Sequence, residues 1–590
     1  MNSKIFALPA VALIAAACSG PSPSVDASAQ LADLFDEHFE RSLELDPLDA
    51  TAIGDYRYND RLAITMSEEF RDKQHALNEE FLTRLLAIDR DSLEYQDQLS
   101  YDMFRLLREQ DLEAEHFPSH LQPINQFYLM TNSFAQLGSG AGVHPFDTVE
   151  HYDDFLSRTG DFVINLDLAI ENMKQGMREG IVQPRVLMEK VLPQIAAHFV
   201  DDVEQSVFWR PIANMPADFS PDDRERLTAA YRASITDRIL PAYRRMHAFI
   251  EDEYLAAARD TFGLGALPNG EDWYRFHVRR RTTTNLSPDE IHRIGLDEVA
   301  RIHEEMRGVM REVGFDGDLD AFFEFVNTDP QFYYDEPDEL IQGYRDMSAR
   351  IETLARKLFD IAPKTPFEVR RVEPFREASA SGGSYRAGTP DGSRPGIFYA
   401  NAYNIKARPK WAMESLYLHE AIPGHHFQIA LQQENEALPR FRRFARFTAY
   451  SEGWGLYAES LGKEIGVYTD PYQYFGALNA ELWRSIRLVV DTGLHAKGWT
   501  RQQVLDYMYA NSAVAPARAI SEAERFMALP GQALAYKIGQ LRIRAIRDDA
   551  EQRLGERFDV VAFHREVLED GPMPLSMLED KIDRWIDAQL

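Results

Sequence analysis

Apolar residues recur at intervals of three and four along most of the chain, the spacing that lines one face of an α-helix. Two clear examples are LADLFDEHFERSLEL at residues 31–45 and DDFLSRTGDFVINLDLAIENMKQGM at residues 153–177. Alternating, strand-like patterns are sparse, and no segment of about 20 to 50 residues repeats, so a solenoid is not indicated. The pattern predicts a mostly α fold.

One region breaks the helical pattern. Residues 378–404 contain Gly382-Gly383 and Pro390-Asp391-Gly392, which are turn sequences, around the β-forming residues 397–399. The sequence therefore predicts a small β-hairpin or sheet in an otherwise helical protein. Because the next helical segment carries the candidate chemistry described below, we expect the sheet to lie beside it.

The N-terminus predicts export. Lys4 precedes an apolar run at residues 5–17, which is too short to span a bilayer as a stable helix but fits a signal peptide. Cys18 follows three alanines, as in a bacterial lipobox, and residues 18–30 have the Ser, Pro and Ala content of a flexible tether. We expect residues 1–17 to be removed, Cys18 to be lipidated, and the protein to be held on the cell envelope facing the periplasm. The alternative is an ordinary signal peptide with an incidental cysteine.

Residues 31–590 are then expected to form a single large helical domain, with an N-terminal helical part at 31–270 and a metal-bearing part at 271–590. The chain is 45% hydrophobic, enough for a large core. Its net charge of −31 argues against nucleic acid as a partner, because phosphate binding needs a basic face. Cys18 is the single cysteine, so any metal must be held by His, Asp or Glu.

Candidate metal ligands occur in the sequence HEAIPGHH, directly after the predicted sheet. In zinc peptidase helices two His one turn apart grip the metal, and a Glu after the first His takes a proton from the attacking water. Here the residue one turn after His419 is Pro423, which cannot be a ligand and must kink or bulge the helix. A two-residue bulge would bring His425 to the second ligand position, with His426 as the alternative. Glu420 is the candidate general base.

A third candidate ligand lies in the following helical segment, SEGWGLYAESLG. Many zinc peptidases take a Glu from the next helix as their third ligand, and Glu452 comes 27 residues after His425. Two His and one Glu leave a fourth position open for water, which is typical of catalytic zinc. Glu459 lies on the same helix face and would accept a hydrogen bond from a ligand imidazole.

The motifs HEAIPGHHFQ and SEGWGLYAE, with DGSRPGIFYAN before them and RLVVDTGLHAKGW and ERFMALPGQALAYKIG after them, resemble the bacterial family of unknown function number 885. The resemblance extends from residue 45 to residue 579. This family is similar to carboxypeptidase Taq, angiotensin-converting enzyme and thimet oligopeptidase. The resemblance implies a large helical body split by a deep channel with zinc at its floor.

The resemblance also implies roles for particular residues. One Zn²⁺ per chain would be held by His419, His425 and Glu452, with Glu420 as general base. Related peptidases stabilise the oxyanion with a Tyr or His from a later helix, and order along the chain makes Tyr536 the candidate. The alternative for Tyr536 is a core tyrosine whose hydroxyl is bonded within the protein.

Three further residues are candidates for binding substrate or assisting catalysis. His495, four residues after Asp491, would hydrogen-bond substrate as a catalytic residue, or the two would form a pair that supports the fold. Arg487 and Arg525 are candidate anchors for a substrate carboxylate, because a guanidinium matches a carboxylate bidentately. The alternative for each Arg is an ion pair within the protein.

The predicted sheet has a candidate role of its own. An exposed strand edge can hydrogen-bond the main chain of an extended peptide. Tyr399, Ala400 and Asn401 are the residues that we expect at this edge, unless the region only shapes a surface turn.

Together these observations favour an exported, lipid-anchored zinc metallopeptidase that hydrolyses oligopeptides. Action from the chain end, as a carboxypeptidase or dipeptidase, is suggested by analogy with the related enzymes. Two alternatives stay open. One is a metal-dependent amidase or esterase of a small substrate, and the other is a lipoprotein that binds peptides without turnover.

Overall fold

The structure is a computed structural model that describes residues 26–373, 377, 380–390, 392 and 394–590. The fold is mostly α-helical, as the apolar spacing predicts. The predicted signal peptide and the lipidation site Cys18 lie outside the described residues. None of the helices in the described ranges is long and apolar enough to cross a bilayer.

The N-terminal part is built from helices that follow one another closely. They are α1 Ala27–Leu45, α2 Pro47–Ala52, α3 Glu68–Leu86, α4 Tyr95–Ala114, α5 Met130–Leu137, α6 Val149–Glu179, α7 Arg185–Ala196, α8 Arg210–Ala213, α9 Pro221–Ser234, α10 Leu240–Phe249, α11 Leu255–Ala257 and α12 Gly270–Thr282. Two π-helical turns, Ile235–Ile239 and Ile250–Tyr254, join α9, α10 and α11. Apolar side chains from α5, α6, α7, α9 and α10 form one buried core.

The first helix begins earlier than the sequence predicts. The Asp26 carboxylate accepts a hydrogen bond from the Ser28 N–H at 3.2 Å and caps α1. Residues 27–30, expected in the tether, are therefore the first turn of this helix. The buried side chains of Leu31, Leu34 and Phe35 hold α1 against the body, so residues 27–30 belong to the folded part of the protein.

The C-terminal part contains the remaining helices. They are α13 Pro288–Glu312, α14 Leu319–Thr328, α15 Pro337–Ala355, α16 Met413–Glu420, α17 His425–Glu434, α18 Arg440–Arg443, α19 Thr448–Ser460, α20 Gly462–Ile465, α21 Pro471–Lys497, α22 Arg501–Asn511, α23 Pro516–Ala528, α24 Ala535–Leu554, α25 Val560–Leu568 and α26 Leu575–Gln589. Helix α13 packs along α21, and α19 packs along α24. These pairs hold the segments with the candidate ligands in the interior of the protein.

A three-stranded sheet, formed by β1 Phe367–Arg371, β2 Gly383–Arg386 and β3 Gly396–Ala400, precedes α16. The strand order is β1-β3-β2, with β3 parallel to β1 and antiparallel to β2. Strands β2 and β3 form the predicted hairpin, whereas β1 was not predicted. Phe398 of β3 meets Tyr417 of α16 edge to face, with ring centroids 6.0 Å apart, so the sheet lies beside this helix as expected.

Candidate metal centre

The segment between the two candidate histidines divides one helical stretch into two helices. Helix α16 ends at Glu420, and α17 begins at His425, with a cis peptide bond between Ile422 and Pro423. The Trp454 indole N–H donates to the Pro423 carbonyl at 2.9 Å and holds the turn. The helix is therefore fully interrupted between Glu420 and His425, whereas the sequence predicts only a kink or a bulge.

Gly424 makes this break possible. A Cβ atom at position 424 would lie 1.9 Å from the carbonyl oxygen of His419, and 2.3 Å from that of Leu418. These contacts are with backbone atoms that cannot move aside, so only glycine allows the chain to return so close to the end of α16. The return brings His425 next to His419, and their ring centroids are 4.7 Å apart.

Among the described residues, His419, His425 and Glu452 form the one group of three or more potential metal ligands. Their ligand atoms all lie within 4.8 Å of one another. The Oε2 atom of Glu452, on α19, lies 3.3 Å from Nε2 of His419 and 3.6 Å from Nε2 of His425. The structure thus brings together the three residues that the sequence nominated.

The distances from the Glu452 carboxylate to the two imidazoles fit zinc. Zinc bonds of about 2.0 to 2.1 Å at tetrahedral angles put neighbouring ligand atoms roughly 3.3 to 3.5 Å apart. The two distances from Glu452 to the imidazoles, 3.3 and 3.6 Å, lie within a few tenths of an ångström of this range. His425 differs from His419 in one respect, because its Nδ1 atom is buried with no hydrogen-bond partner in the described part of the protein.

The electrostatics of the cluster favour a positive charge at its centre. Burial alone would lower the pKa of His419, but hydrogen bonds to Glu452 and Glu459 raise it to about 9. Burial alone would raise the pKa of Glu452, yet hydrogen bonds from the imidazoles of His419 and His425 hold it well below its ordinary value. The two carboxylates therefore stabilise a cation beside the imidazoles, either a proton or a metal ion.

Glu459 orients the first histidine. Its Oε1 atom accepts a hydrogen bond from Nδ1 of His419 at 2.8 Å, and its Oε2 atom accepts one from the Ser415 hydroxyl. A guanidinium nitrogen of Arg484 lies 3.5 Å from the same carboxylate. These contacts turn Nε2 of His419 toward Glu452, and the hydrogen bond to the imidazole is the one that the sequence predicts for Glu459.

His426, the alternative second ligand, points away from the cluster. Its Nδ1 atom lies 3.0 Å from the Tyr385 hydroxyl, and its ring contacts Phe367 with centroids 4.8 Å apart. Burial lowers the pKa of His426 to about 4. The structure places this imidazole against the sheet, so His425, and not His426, lies beside His419 and Glu452.

The cluster lies in a channel with a volume of about 2330 Å³. Residues from α1, β2, α16, α17, α19, α21, α23 and α24 line it. Glu420 is half-buried and lines the channel beside His419, which suits a group that exchanges protons with water or substrate. Tyr536 lines the same channel.

Arg487 and Arg525 also line the channel, and both make ion pairs. Arg487 donates to Glu522 at 2.9 Å and lies over the Tyr536 ring, 4.8 Å from its centroid. Arg525 donates to Glu522 at 3.3 Å and to Gln532 at 2.6 Å. Both residues therefore make the internal ion pair that the sequence offered as the alternative, and they line the channel as well, so their role as anchors for a substrate carboxylate stays a prediction.

His495 lies elsewhere, and the expectation of a catalytic role is not met. Its Nδ1 atom accepts a hydrogen bond from the Leu264 N–H, and its Nε2–H donates to the Phe526 carbonyl, each at 2.9 Å. The ring is buried, its burial lowers its pKa to about 4, and it does not line the channel. Asp491 bonds to the Tyr274 hydroxyl at 2.6 Å. With both ring nitrogens engaged by the backbone, His495 supports the fold.

The expected strand edge is also placed differently. Strand β3 is the central strand and is bonded on both sides, and Tyr399 and Ala400 are buried. The Asn401 side chain donates to the carbonyls of Glu377 at 2.8 Å and Ala380 at 2.9 Å. These three residues therefore offer no edge to a peptide. The strand that lines the channel is β2, which within the described ranges is bonded to β3 alone.

Sequence reasoning missed several residues of the channel wall. Arg484 precedes Arg487 by three positions on α21, and Arg518, Glu522 and Arg525 follow one another at spacings of four and three on α23. Such spacings place side chains on one face of a helix. The sequence therefore contained a signal for these residues: basic side chains recur on one face of each of two helices, which is unusual in a strongly acidic protein.

The comparisons with known proteins agree with this architecture. The sequence profile of the bacterial proteins of unknown function DUF885 matches residues 47–582. The crystal structure of a candidate lipoprotein from Colwellia psychrerythraea is 29% identical and covers 96% of this chain and all of its own, with a TM-score of 0.87. A candidate lipoprotein of unknown function from Shewanella oneidensis shares the fold at 19% identity, covering 93% of this chain and 99% of its own, with a TM-score of 0.75. No curated protein matches the chain. By the match over residues 47–582, the chain belongs to the DUF885 family of bacterial proteins of unknown function.

Proposed function

We propose that this protein is a zinc-dependent peptidase, held on the cell envelope by a lipid anchor, that hydrolyses short peptides. The observation that carries the proposal is the cluster of His419, His425 and Glu452 ligand atoms, within 4.8 Å of one another, on the wall of a channel that also contains Glu420. The location is supported by two structural relatives that are candidate lipoproteins and by the lipobox-like sequence at Cys18.

His419, His425 and Glu452 would hold the metal and leave one coordination position open. Bound zinc would supply a Lewis acid that polarises a carbonyl group and lowers the pKa of water. Zinc is the first choice over cobalt or manganese because two His and one Glu are its usual ligands. Glu420 would accept a proton from the attacking water and pass it to the leaving nitrogen.

Tyr536 would donate a hydrogen bond to the carbonyl oxygen as negative charge develops there. The guanidinium of Arg487, 4.8 Å above the ring, holds the phenol in position and favours a negative charge nearby. Losing a donor of this kind typically costs about 3 to 4 kcal/mol of transition-state stabilisation. A Tyr536→Phe variant should therefore keep its metal and lose turnover.

The channel favours peptides over folded proteins as substrates, because an extended chain fits a lined channel and a folded domain does not. Arg487 and Arg525 would anchor the C-terminal carboxylate of a peptide if the enzyme acts from the chain end. Comparing the turnover of peptides that have free C-termini with that of their amidated forms tests whether the enzyme acts from the chain end. An Arg487 variant with the parent ratio between the two peptides would count against carboxylate recognition by that residue.

The test of the whole proposal starts with metal content. Elemental analysis of the full-length protein, purified in detergent, should give about one zinc per chain for the parent and for Glu420→Gln, and much less for His419→Ala. Mass spectrometry of a peptide library should then show products with the parent and none with Glu420→Gln.

Two results would contradict the proposal. A protein that takes up no metal when zinc is added, but still binds peptides, would be a peptide-binding lipoprotein. A zinc-loaded protein that cleaves small amides or esters and no peptide would be the alternative hydrolase.

A further inference from the structure

The channel has the opposite charge to the protein around it. The chain carries a net charge of −31, yet the described residues that line the channel include ten Lys and Arg against five Asp and Glu. Two of those five acids, Glu452 and Glu459, are already engaged by His419. The three remaining acids, Asp49, Glu420 and Glu522, are far fewer than the basic side chains of the lining, and this excess of basic groups favours anions in the channel.

Four of these basic residues line the channel from two helices, α21 and α23, and we call them the arginine wall: Arg484, Arg487, Arg518 and Arg525. Glu522 connects its members. One carboxylate oxygen accepts from Arg487 at 2.9 Å, and the other accepts from Arg525 at 3.3 Å. The Trp483 indole also donates to Glu522, at 3.3 Å.

Glu522 orients the wall without neutralising it. Burial would raise the pKa of Glu522, but the charges of Arg487, Arg525 and Arg518 lower it to about 2. A single carboxylate therefore faces three guanidinium groups. The excess positive charge is available to a ligand.

Two members of the wall have unused hydrogen-bonding capacity. The Nε atoms of Arg484 and Arg487 are buried with no hydrogen-bond partner among the described residues, and only 8% of Arg487 is exposed. Arg518 makes no ion pair with any described carboxylate and lies over the Trp483 ring, 5.2 Å from its centroid. The guanidinium charges of this surface exceed the charge of the carboxylate that pairs with them, so a bound carboxylate would stabilise it.

The wall begins at the candidate metal centre. Arg484 lies 3.5 Å from Glu459, the carboxylate that bonds His419, and Arg487 follows about one turn further along α21. A carboxylate one or two residues from a peptide bond at the metal would therefore reach the wall.

We propose that the arginine wall is an anion-binding subsite and that the channel prefers peptides with a carboxylate near the cleaved bond. The inference rests on the proposed function for the cleavage, whereas the binding preference does not require turnover. The carboxylate comes either from an Asp or Glu side chain or from the C-terminus of the peptide, since a guanidinium recognises both in the same way.

The experiment compares peptides that differ at one position only. Peptides with Glu, Gln or Lys beside the cleaved bond are made with free and with amidated C-termini. Their kcat/KM is measured with the full-length zinc-loaded protein, and their Kd with its Glu420→Gln variant. We expect the Glu peptide to bind and react about tenfold better than the Gln peptide, and the Lys peptide to be the poorest of the three. The preference for Glu over Gln should shrink at high salt.

Two variants at one position and a matched control assign the effect to the wall. Arg518→Gln should reduce the preference for Glu over Gln several-fold, and Arg518→Glu should shift the preference toward Lys. Arg307 lies exposed on α13, away from the channel, and Arg307→Gln changes the net charge by the same amount. This control should keep the parent preference.

The outcomes separate the two proposals. Equal Kd values for the Glu, Gln and Lys peptides, or an unchanged preference in Arg518→Glu, would overturn the anion subsite even if peptides are cleaved. If acidic peptides bind more tightly but no peptide is cleaved, the proposed anion subsite stands and the proposed peptidase activity is rejected. An effect of Arg518 that appears only with free C-termini identifies the terminal carboxylate as the ligand.

Discussion

The Nδ1 atom of His419 lies 2.8 Å from Oε1 of Glu459, and both side chains are almost completely buried. This contact connects two helices, α16 and α19, at the point where the candidate ligands meet. It also fixes which imidazole nitrogen faces Glu452. Metal affinity should therefore depend on a residue that does not itself touch the metal.

We expect Glu459→Gln to weaken zinc binding by about tenfold and Glu459→Ala by close to a hundredfold, which is the range found for such supporting groups. Glutamine keeps an acceptor for the imidazole N–H, whereas alanine leaves it unpaired. Competition with a chromophoric chelator measures the affinity. Glu579→Gln, at an exposed ion pair on α26, is the control and should bind zinc as the parent does.

The two adjacent histidines should respond in opposite ways to replacement. His425→Ala removes a ligand atom, so zinc content should fall to a small fraction of the parent value. His426→Ala removes a ring that packs on Phe367 and bonds the Tyr385 hydroxyl, so this variant should keep its zinc and lose about 1 to 3 kcal/mol of stability. Elemental analysis and thermal unfolding of both variants test the pair. Zinc loss in His426→Ala, with His425→Ala still loaded, would reverse the assignment.

A buried carboxyl group on α21 should make stability depend on pH. Burial raises the pKa of Asp491 from 3.8 to about 7, although hydrogen bonds from the Tyr274 hydroxyl and the Gly531 N–H partly oppose the shift. Between these two pH values the folded protein keeps a proton that the unfolded chain has released. The contribution of Asp491 to stability therefore falls as the pH rises from about 4 to about 7 and is constant above that.

An Asp491→Asn variant imitates the protonated side chain and should lack this dependence. Relative to the parent, it should gain about 3 kcal/mol of stability between pH 5 and pH 8, because about two pH units of that range lie within the window, at 1.36 kcal/mol per pH unit. Urea unfolding at both pH values measures the difference. Asp272→Asn, which changes an exposed ion pair with Arg275, is the control and should have the stability of the parent at both pH values. Parallel changes in Asp491→Asn and the parent would show that Asp491 is ionised throughout.

The fold and the first half of the site were predictable because their signals are local. Apolar spacing defines the helices, and His419 and Glu420 are neighbours in one helix. The choice between His425 and His426 depended on a backbone path that no spacing rule contains, since it follows from the contact between Gly424 and the His419 carbonyl.

The wrong expectations concerned residues whose partners are distant in the sequence. His495 bonds to Leu264, which is 231 positions away, and its neighbour in the sequence pattern, Asp491, bonds to Tyr274. Asn401 directly follows β3, which is the central strand because β1, residues 367–371, pairs with it in parallel. Local patterns report which residues can form a strand or a helix face, and long-range pairing decides what surrounds them.

Gly455 should be required for the orientation of His419. A Cβ atom at position 455 would lie 2.7 to 2.9 Å from three atoms of the His419 ring, and that ring is held on its other side by Glu459 and by the turn at Gly424. Gly455→Ala should therefore displace the imidazole and lower zinc affinity by at least tenfold, although alanine favours the helix itself. Gly160→Ala, at a helical position with nothing within 4 Å of its Cβ, is the matched change and should stabilise the protein by about 0.5 to 1 kcal/mol with unchanged zinc binding. Full zinc affinity in Gly455→Ala would mean that His419 does not hold the metal in the orientation described.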